Sequence, residues 1–137
     1  MKKLFIIGAV ALLSLQAFAA TDDTQLISCL VNKSNSLDIY LKSSEGSIQQ
    51  VELYTRDFLG RNKTHVVTLV KPQLSEIQYG DVTMVQQNFG KSGYVFLRFE
   101  RKSQTEYNGL IDVYYFQSHS FRTGGNLVSM PCFSYEQ

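Results

Sequence analysis

Two cysteines, Cys29 and Cys132, stand near opposite ends of a 137-residue chain that contains no others. A disulfide needs its two Cα atoms within about 7 Å. If these two join, any fold must bring the first and last segments together, either side by side or across a core. Whether they join depends on the compartment, and the N-terminus bears on that. Lys2 and Lys3 form a positive n-region, Leu4 to Leu15 is apolar except for Gly8 and Ser14, and Ala17-Phe18-Ala19 supplies a small-x-small cleavage site. Residues 1–19 therefore read as a secretory signal peptide and residues 20–137 as one β domain that matures where disulfides persist. A cross-link closing a loop of about 100 residues contributes up to ~4.7 kcal/mol on the loop-entropy account. That is a large share of the ~5–15 kcal/mol by which a domain is stable.

The leader predicts an exported product of bacterial type, periplasmic or secreted. No cysteine follows the apolar stretch closely enough to carry a lipid, and no later apolar run reaches spanning length, so a soluble protein is expected rather than a lipoprotein or a helical membrane protein. Lys2 and Lys3 leave with the leader, so the remaining 118 residues carry 11 Lys/Arg against 12 Asp/Glu. The densest basic group, Arg98, Arg101 and Lys102, is interleaved with Glu100 and Glu106. Nucleic-acid binding needs a concentrated positive face, and this balance argues against it.

Hydrophobic residues after the leader recur with period two almost everywhere and with period 3.6 almost nowhere, the signature of half-buried strands. Leu37, Ile39 and Leu41 alternate with Asp38, Tyr40 and Lys42; Val51, Leu53 and Thr55 alternate with Glu52, Tyr54 and Arg56. The cluster 43–47 between them predicts a hairpin turn, and Ile48, out of phase with Val51, predicts a bulge or a late strand start. Further strands are expected over 25–31, 64–71, 82–87, 94–101, 107–117 and 127–133. Residues 74–79 fit either a helical turn or an edge strand. The expected fold is all-β: a small antiparallel β-barrel of about eight strands, or alternatively a β-sandwich. The first and last strands, carrying Cys29 and Cys132, are adjacent in it. Gly109, inside the longest apolar stretch, is expected to permit a sharp bend of the kind barrel corners need.

Catalytic patterns are sparse. His65 lies in a Val-rich strand and His119 in the Ser118-His119-Ser120 loop, neither with a nucleophile or orienting carboxylate nearby in sequence. With both cysteines spent on a bridge, two isolated histidines do not make a metal site, and no cofactor is expected. Gly90-Lys91-Ser92 has the ending of a phosphate-binding loop, but the upstream position that needs glycine is Val85. There is no Gly-x-Ser-x-Gly elbow. No motif set in the chain resembles that of a known family.

The aromatic residues point elsewhere. Eight Tyr and nine Phe occur without Trp, and Tyr40 and Tyr54 fall on the polar faces of neighbouring strands, where rigid aromatic side chains make good interface material. Phe58 and Arg61 in the 57–63 loop, and His119, Phe121 and Arg122 in the 118–126 loop, are the remaining candidates for a binding surface. The reading is an exported, non-catalytic binding protein whose partner is a protein or small ligand of the envelope or extracellular space. The alternatives are an inhibitor that inserts the 57–63 or 118–126 loop into a secreted hydrolase, and an unrecognised hydrolase built on His65 or His119.

Overall fold

A computed structural model describes residues 22–57, 59–115, 117 and 121–136. The leader read at residues 1–19, Phe58 and His119 lie outside the described residues. Nine antiparallel strands form one sheet: β1 (Asp23–Leu30), β2 (Asn35–Ser44), β3 (Ser47–Asp57), β4 (Lys63–Val70), β5 (Ser75–Tyr79), β6 (Val82–Asn88), β7 (Gly93–Arg101), β8 (Glu106–Tyr115) and β9 (Val128–Glu136). Their order in space is β4-β3-β2-β1-β9-β8-β7-β6-β5. One sheet, and not the two of a sandwich, therefore carries the whole fold. The count exceeds the expected eight because residues 75–79 form an edge strand and not a helical turn. A single 3-10 turn at Gly90–Ser92 is the only helical element among the described residues.

The expected joining of the chain's ends is found. β1 pairs with β9 in the middle of the sheet, with Cys29 directly opposite Cys132, and the two sulfurs form a disulfide across a Cα–Cα distance of 4.0 Å. Two sequential meanders, β1–β4 and β5–β9, are thereby joined at their first and last strands. The β2–β3 hairpin closes on a two-residue turn, Glu45-Gly46, in which both residues have positive φ (55° and 80°). That is the type I′ geometry, whose twist matches that of the flanking strands. The bulge expected from the phase of Ile48 is present: the register passes from Lys42↔Gln50 to Ser43↔Ile48, with Gln49 as the extra residue.

Alternation sets the two faces. Ile27, Ile39, Leu53 and Val67 lie opposite one another across β1–β4 and are buried; Val85, Leu97 and Ile111 do the same across β6–β8. A right-handed twist accumulated over nine strands rolls these rows onto each other, so the sheet encloses its own core as a curled half-barrel. Leu74, in the β4–β5 connection, is 2% exposed and belongs to the same cluster.

The two edges, β4 and β5, do not share a backbone ladder. Side chains instead tie β3 to β5 and β4 to β6 at one end. The Ile48 N–H and the Ser47 hydroxyl both donate to Glu76 Oε1 (2.9 and 3.2 Å), and the Val70 N–H donates to Gln87 Oε1 at 3.1 Å.

Gly109 lies directly against the disulfide. A Cβ placed there would lie 2.6 Å from Cys132 Sγ and 3.6 Å from Cys29 Sγ. The missing side chain is the space the disulfide occupies.

Candidate functional site

The outward faces of β1–β4 carry a cluster of aromatic and charged side chains. Tyr40 and Tyr54 point to the same side because each sits at an even position of a strand whose odd positions are core. The register sets Tyr40 opposite Glu52 and Asp38 opposite Tyr54, so the two tyrosines are diagonal neighbours. Their rings meet edge to face, 5.7 Å apart and inclined by 88°, the favoured arrangement for aromatic quadrupoles.

A second bulge extends this cluster. Between β3 and β4 the register passes from Leu53↔Val67 to Tyr54↔His65, leaving Val66 as the extra residue. Val67 and Leu69 thus stay inward, while His65 comes out beside Tyr54 with ring centroids 5.3 Å apart. His65 Nε2 also lies 2.7 Å from Thr68 Oγ1. His65 is thus an exposed residue of the outer strand face.

Lys63 completes the group. Its ammonium stands 4.3 Å from the centre of the Tyr40 ring and 4.8 Å from that of Tyr54, and it donates to the Tyr40 hydroxyl. Cation–π attraction of this kind contributes about 0.5–1 kcal/mol at exposed sites. It also fixes a long, otherwise mobile side chain over both rings. Lys42 and Glu52 flank the cluster as an ion pair at 3.0 Å.

Beneath and beside it lies a charge that the sequence did not single out. Asp38 is 3% exposed although it faces outward. Arg56 covers it: Nε donates to Oδ2 at 2.8 Å and Nη2 to Oδ1 at 3.4 Å, while the Ser28 hydroxyl donates to Oδ1 at 2.8 Å. Hydrogen bonding to Asp38 raises the Arg56 pKa above its ordinary value, against the opposing pull of burial. Both carboxylate oxygens are satisfied, which is the condition under which a buried charge is tolerated.

The loop candidates divide between two connections with β2 and β1 between them. In the β3–β4 loop the Asp57 carboxylate accepts from the main-chain N–H groups of Arg61 (2.9 Å) and Asn62 (3.3 Å) and from the Asn62 side chain (3.0 Å), so this loop is fastened from below. It displays Leu59 at 63% exposure and an exposed Arg61. In the β8–β9 loop, Phe121 is half-buried against the core and Arg122 is exposed. Thr123 pins that loop: its N–H donates to Val113 O (2.9 Å), its hydroxyl accepts from Val113 N–H (3.1 Å), and the same hydroxyl donates to Asp112. Asp112, 6% exposed, also accepts from the Tyr94 hydroxyl at 2.7 Å, and this bond is the main reason the Tyr94 pKa is raised.

Alternation alone assigns Tyr40 and Tyr54 to this face, whereas nothing in the sequence marks Lys63, Asp38 and Arg56 as members of the cluster. Lys63 was hidden by its place at the end of a loop, and only the β3–β4 register carries it over the rings. Asp38 and Arg56 read as ordinary solvated charges of an alternating strand.

Several clefts are present in the described structure. One is lined by Thr24, Gln25, Arg101, Thr105, Ser134 and Tyr135 at the open end of β1 and β9. No group of three or more His, Cys, Asp or Glu side chains among the described residues is arranged to hold a metal. No protein-family model matches the chain, and comparison with curated proteins and with solved structures gives no significant match.

Proposed function

We propose that this chain is an exported, non-catalytic binding protein with a small-barrel architecture, and that its partner docks on the outer face of β2–β4 at Tyr40 and Tyr54. The observation that carries the reading is the state of that face before any partner arrives. Tyr40, Tyr54 and His65 support one another ring to edge, and Lys63 is held over two of the rings. Ordering a mobile side chain on binding costs about 0.5–1.5 kcal/mol each. A face whose aromatic groups are already fixed avoids much of that cost, and clustered tyrosines are the side chains that dominate binding energy elsewhere. Export is supported by the leader-like first 19 residues and by the disulfide, which persists in oxidising compartments.

The test is affinity capture from envelope and secreted extract at native concentrations. The immobilised protein should retain a partner that the Tyr40→Ala/Tyr54→Ala variant releases while remaining folded, since the buried core residues of β2 and β3 are untouched. Absence of any retained partner, or equal retention by the variant, overturns the proposal.

A second reading has one specific observation behind it. The Asp57 carboxylate holds the main chain at Arg61 and Asn62, so that Arg61 beside the exposed Leu59 is presented from a fastened turn, as an inhibitor entering the cleft of a secreted hydrolase requires. Under that reading Arg61→Ala abolishes inhibition of the target while Tyr40→Ala/Tyr54→Ala leaves it intact. The opposite pattern returns the argument to the tyrosine face.

A further inference from the structure

The two edges of the sheet are protected unequally. Edge strands expose unpaired main-chain groups, and proteins guard them with Lys, Pro, bulges or covering elements. β4 is guarded: it starts at Lys63, carries a bulge at Val66, is followed by Lys71-Pro72, and lends its Val70 N–H to Gln87. β5 has no Lys, Pro or bulge, and among the described residues its one tie to the other end of the sheet is through the Glu76 side chain, on Ser47 and Ile48. Its residues are Ser75-Glu76-Ile77-Gln78-Tyr79, with Ile77 52% and Tyr79 83% exposed. Its one charge, Glu76, faces inward and accepts from Ile48, Ser47 and Gln78.

The pairing with β6 determines which groups point outward. β5 and β6 join through the two-residue turn Gly80-Asp81, with Tyr79 opposite Val82. Residues flanking a two-residue turn exchange both main-chain hydrogen bonds, and such pairs alternate along an antiparallel ladder. Tyr79, Ile77 and Ser75 therefore bond to β6. Glu76 and Gln78 turn their N–H and C=O groups to the open side, where neither has a main-chain partner among the described residues.

We infer that this edge joins a second copy of the same chain, β5 against β5 antiparallel about a two-fold axis through Ile77. In that register Glu76 of each copy stands opposite Gln78 of the other, and the four outward groups of each strand form four hydrogen bonds in two pairs. No charge meets its like, because Glu76 faces a neutral amide and not Glu76. Ile77 lies against its own equivalent at the non-bonded position, where cross-strand side chains approach most closely. The pairing is self-complementary, as a two-fold interface must be. The guarded β4 edge excludes the head-to-tail alternative, β4 on β5, which would propagate into open fibres. A five-residue ladder buries less than the roughly 1,600 Å² of a standard interface, so the dimer is weak and concentration-dependent.

Sedimentation velocity over a rising concentration series tests this. The wild-type protein should pass from monomer to dimer, with the Glu76 and Gln78 amides gaining protection from hydrogen exchange as it does so. Gln78→Pro removes an outward N–H without taking a bond from the β5–β6 ladder, and proline is tolerated at such edge positions. It should weaken the dimer by at least about tenfold, since two of the four intermolecular bonds are lost. Ile77→Lys, a gatekeeping charge brought against its own copy, should do the same with folding unaffected. A wild-type protein that stays monomeric at the highest soluble concentration overturns the inference. So does a dimer that survives both variants, or one whose exchange protection appears away from β5.

Discussion

Replacing Gly109 with alanine tests the packing around the disulfide directly. The added Cβ would sit 2.6 Å from Cys132 Sγ, roughly 1 Å inside the 3.5–4.0 Å at which nonbonded atoms rest. Neither sulfur can easily retreat: Cys29 is 0% and Cys132 1% exposed, and each lies in a central strand paired on both sides. Overpacking of a filled core costs about 1–3 kcal/mol. Alanine recovers some of this, because glycine inside a strand is about 0.5–1 kcal/mol worse than alanine on backbone entropy. Net destabilisation of about 1–2 kcal/mol follows in the oxidised protein.

The same substitution in a Cys29→Ala/Cys132→Ala background meets no sulfur. The nearest remaining neighbour is Met130 O at 3.4 Å, a tight but tolerable contact. There the substitution should be neutral or stabilising by up to ~0.5–1 kcal/mol. The coupling between the two sites, about 2 kcal/mol, lies within the range measured for residues in contact. Urea unfolding of all four proteins, compared at constant m-value, measures it. Equal cost of Gly109→Ala in both backgrounds would refute the idea that this glycine exists to clear the disulfide.

Three further outcomes follow from the geometry. Cys29 and Cys132 are too deeply buried for reductant or alkylating agent in the native state, so mass spectrometry should find no modified thiol until denaturant is added; ready alkylation of the folded protein would contradict the paired ends. Arg56→Ala uncovers Asp38 and should cost about 1–3 kcal/mol by chemical denaturation, more than the ~0–1 kcal/mol of a surface pair but less than a fully buried one, since the Arg56 side chain is 37% exposed. Tyr94, whose pKa is raised in the fold chiefly by its hydrogen bond to Asp112, contributes stability that is complete below the usual tyrosine pKa and lost as pH climbs through the raised value. Tyr94→Phe should therefore be less stable than wild type at neutral pH and lose less on alkalinisation, read from urea midpoints across that pH range; parallel curves would refute the assignment.

Much of the fold was legible along the chain. Leu37-Asp38-Ile39-Tyr40-Leu41-Lys42 could only be a half-buried strand, and the phase slip at Ile48 announced a bulge that is present. The edge strand β5 was ambiguous because Leu74, Ile77 and Tyr79 sample two periodicities over six residues, too short a window to separate them. The contact of Gly109 with the disulfide was not legible for another reason. A glycine in an apolar strand signals close approach as readily as a bend, and what approaches it is a sulfur bonded across β1 and β9. Of the candidate site, the two tyrosines were visible because alternation alone assigns them to the outer face. Lys63 and His65 were not, because a one-residue bulge at Val66 decides which β4 side chains join them.

The chain's own pattern determined the kind of element, the inward and outward sets of each strand, and the meeting of the ends through Cys29 and Cys132. These depend on local periodicity and on one covalent bond, both written in residue order. The tertiary structure alone decided that nine strands make one curled sheet, that its two ends are tied by Glu76 and Gln87 rather than by a ladder, and that Asp38 lies buried on an outward face beneath Arg56. Those outcomes depend on accumulated twist and on register between strands. Both sum small contributions from many residue pairs, and neither can be read from any single stretch of sequence.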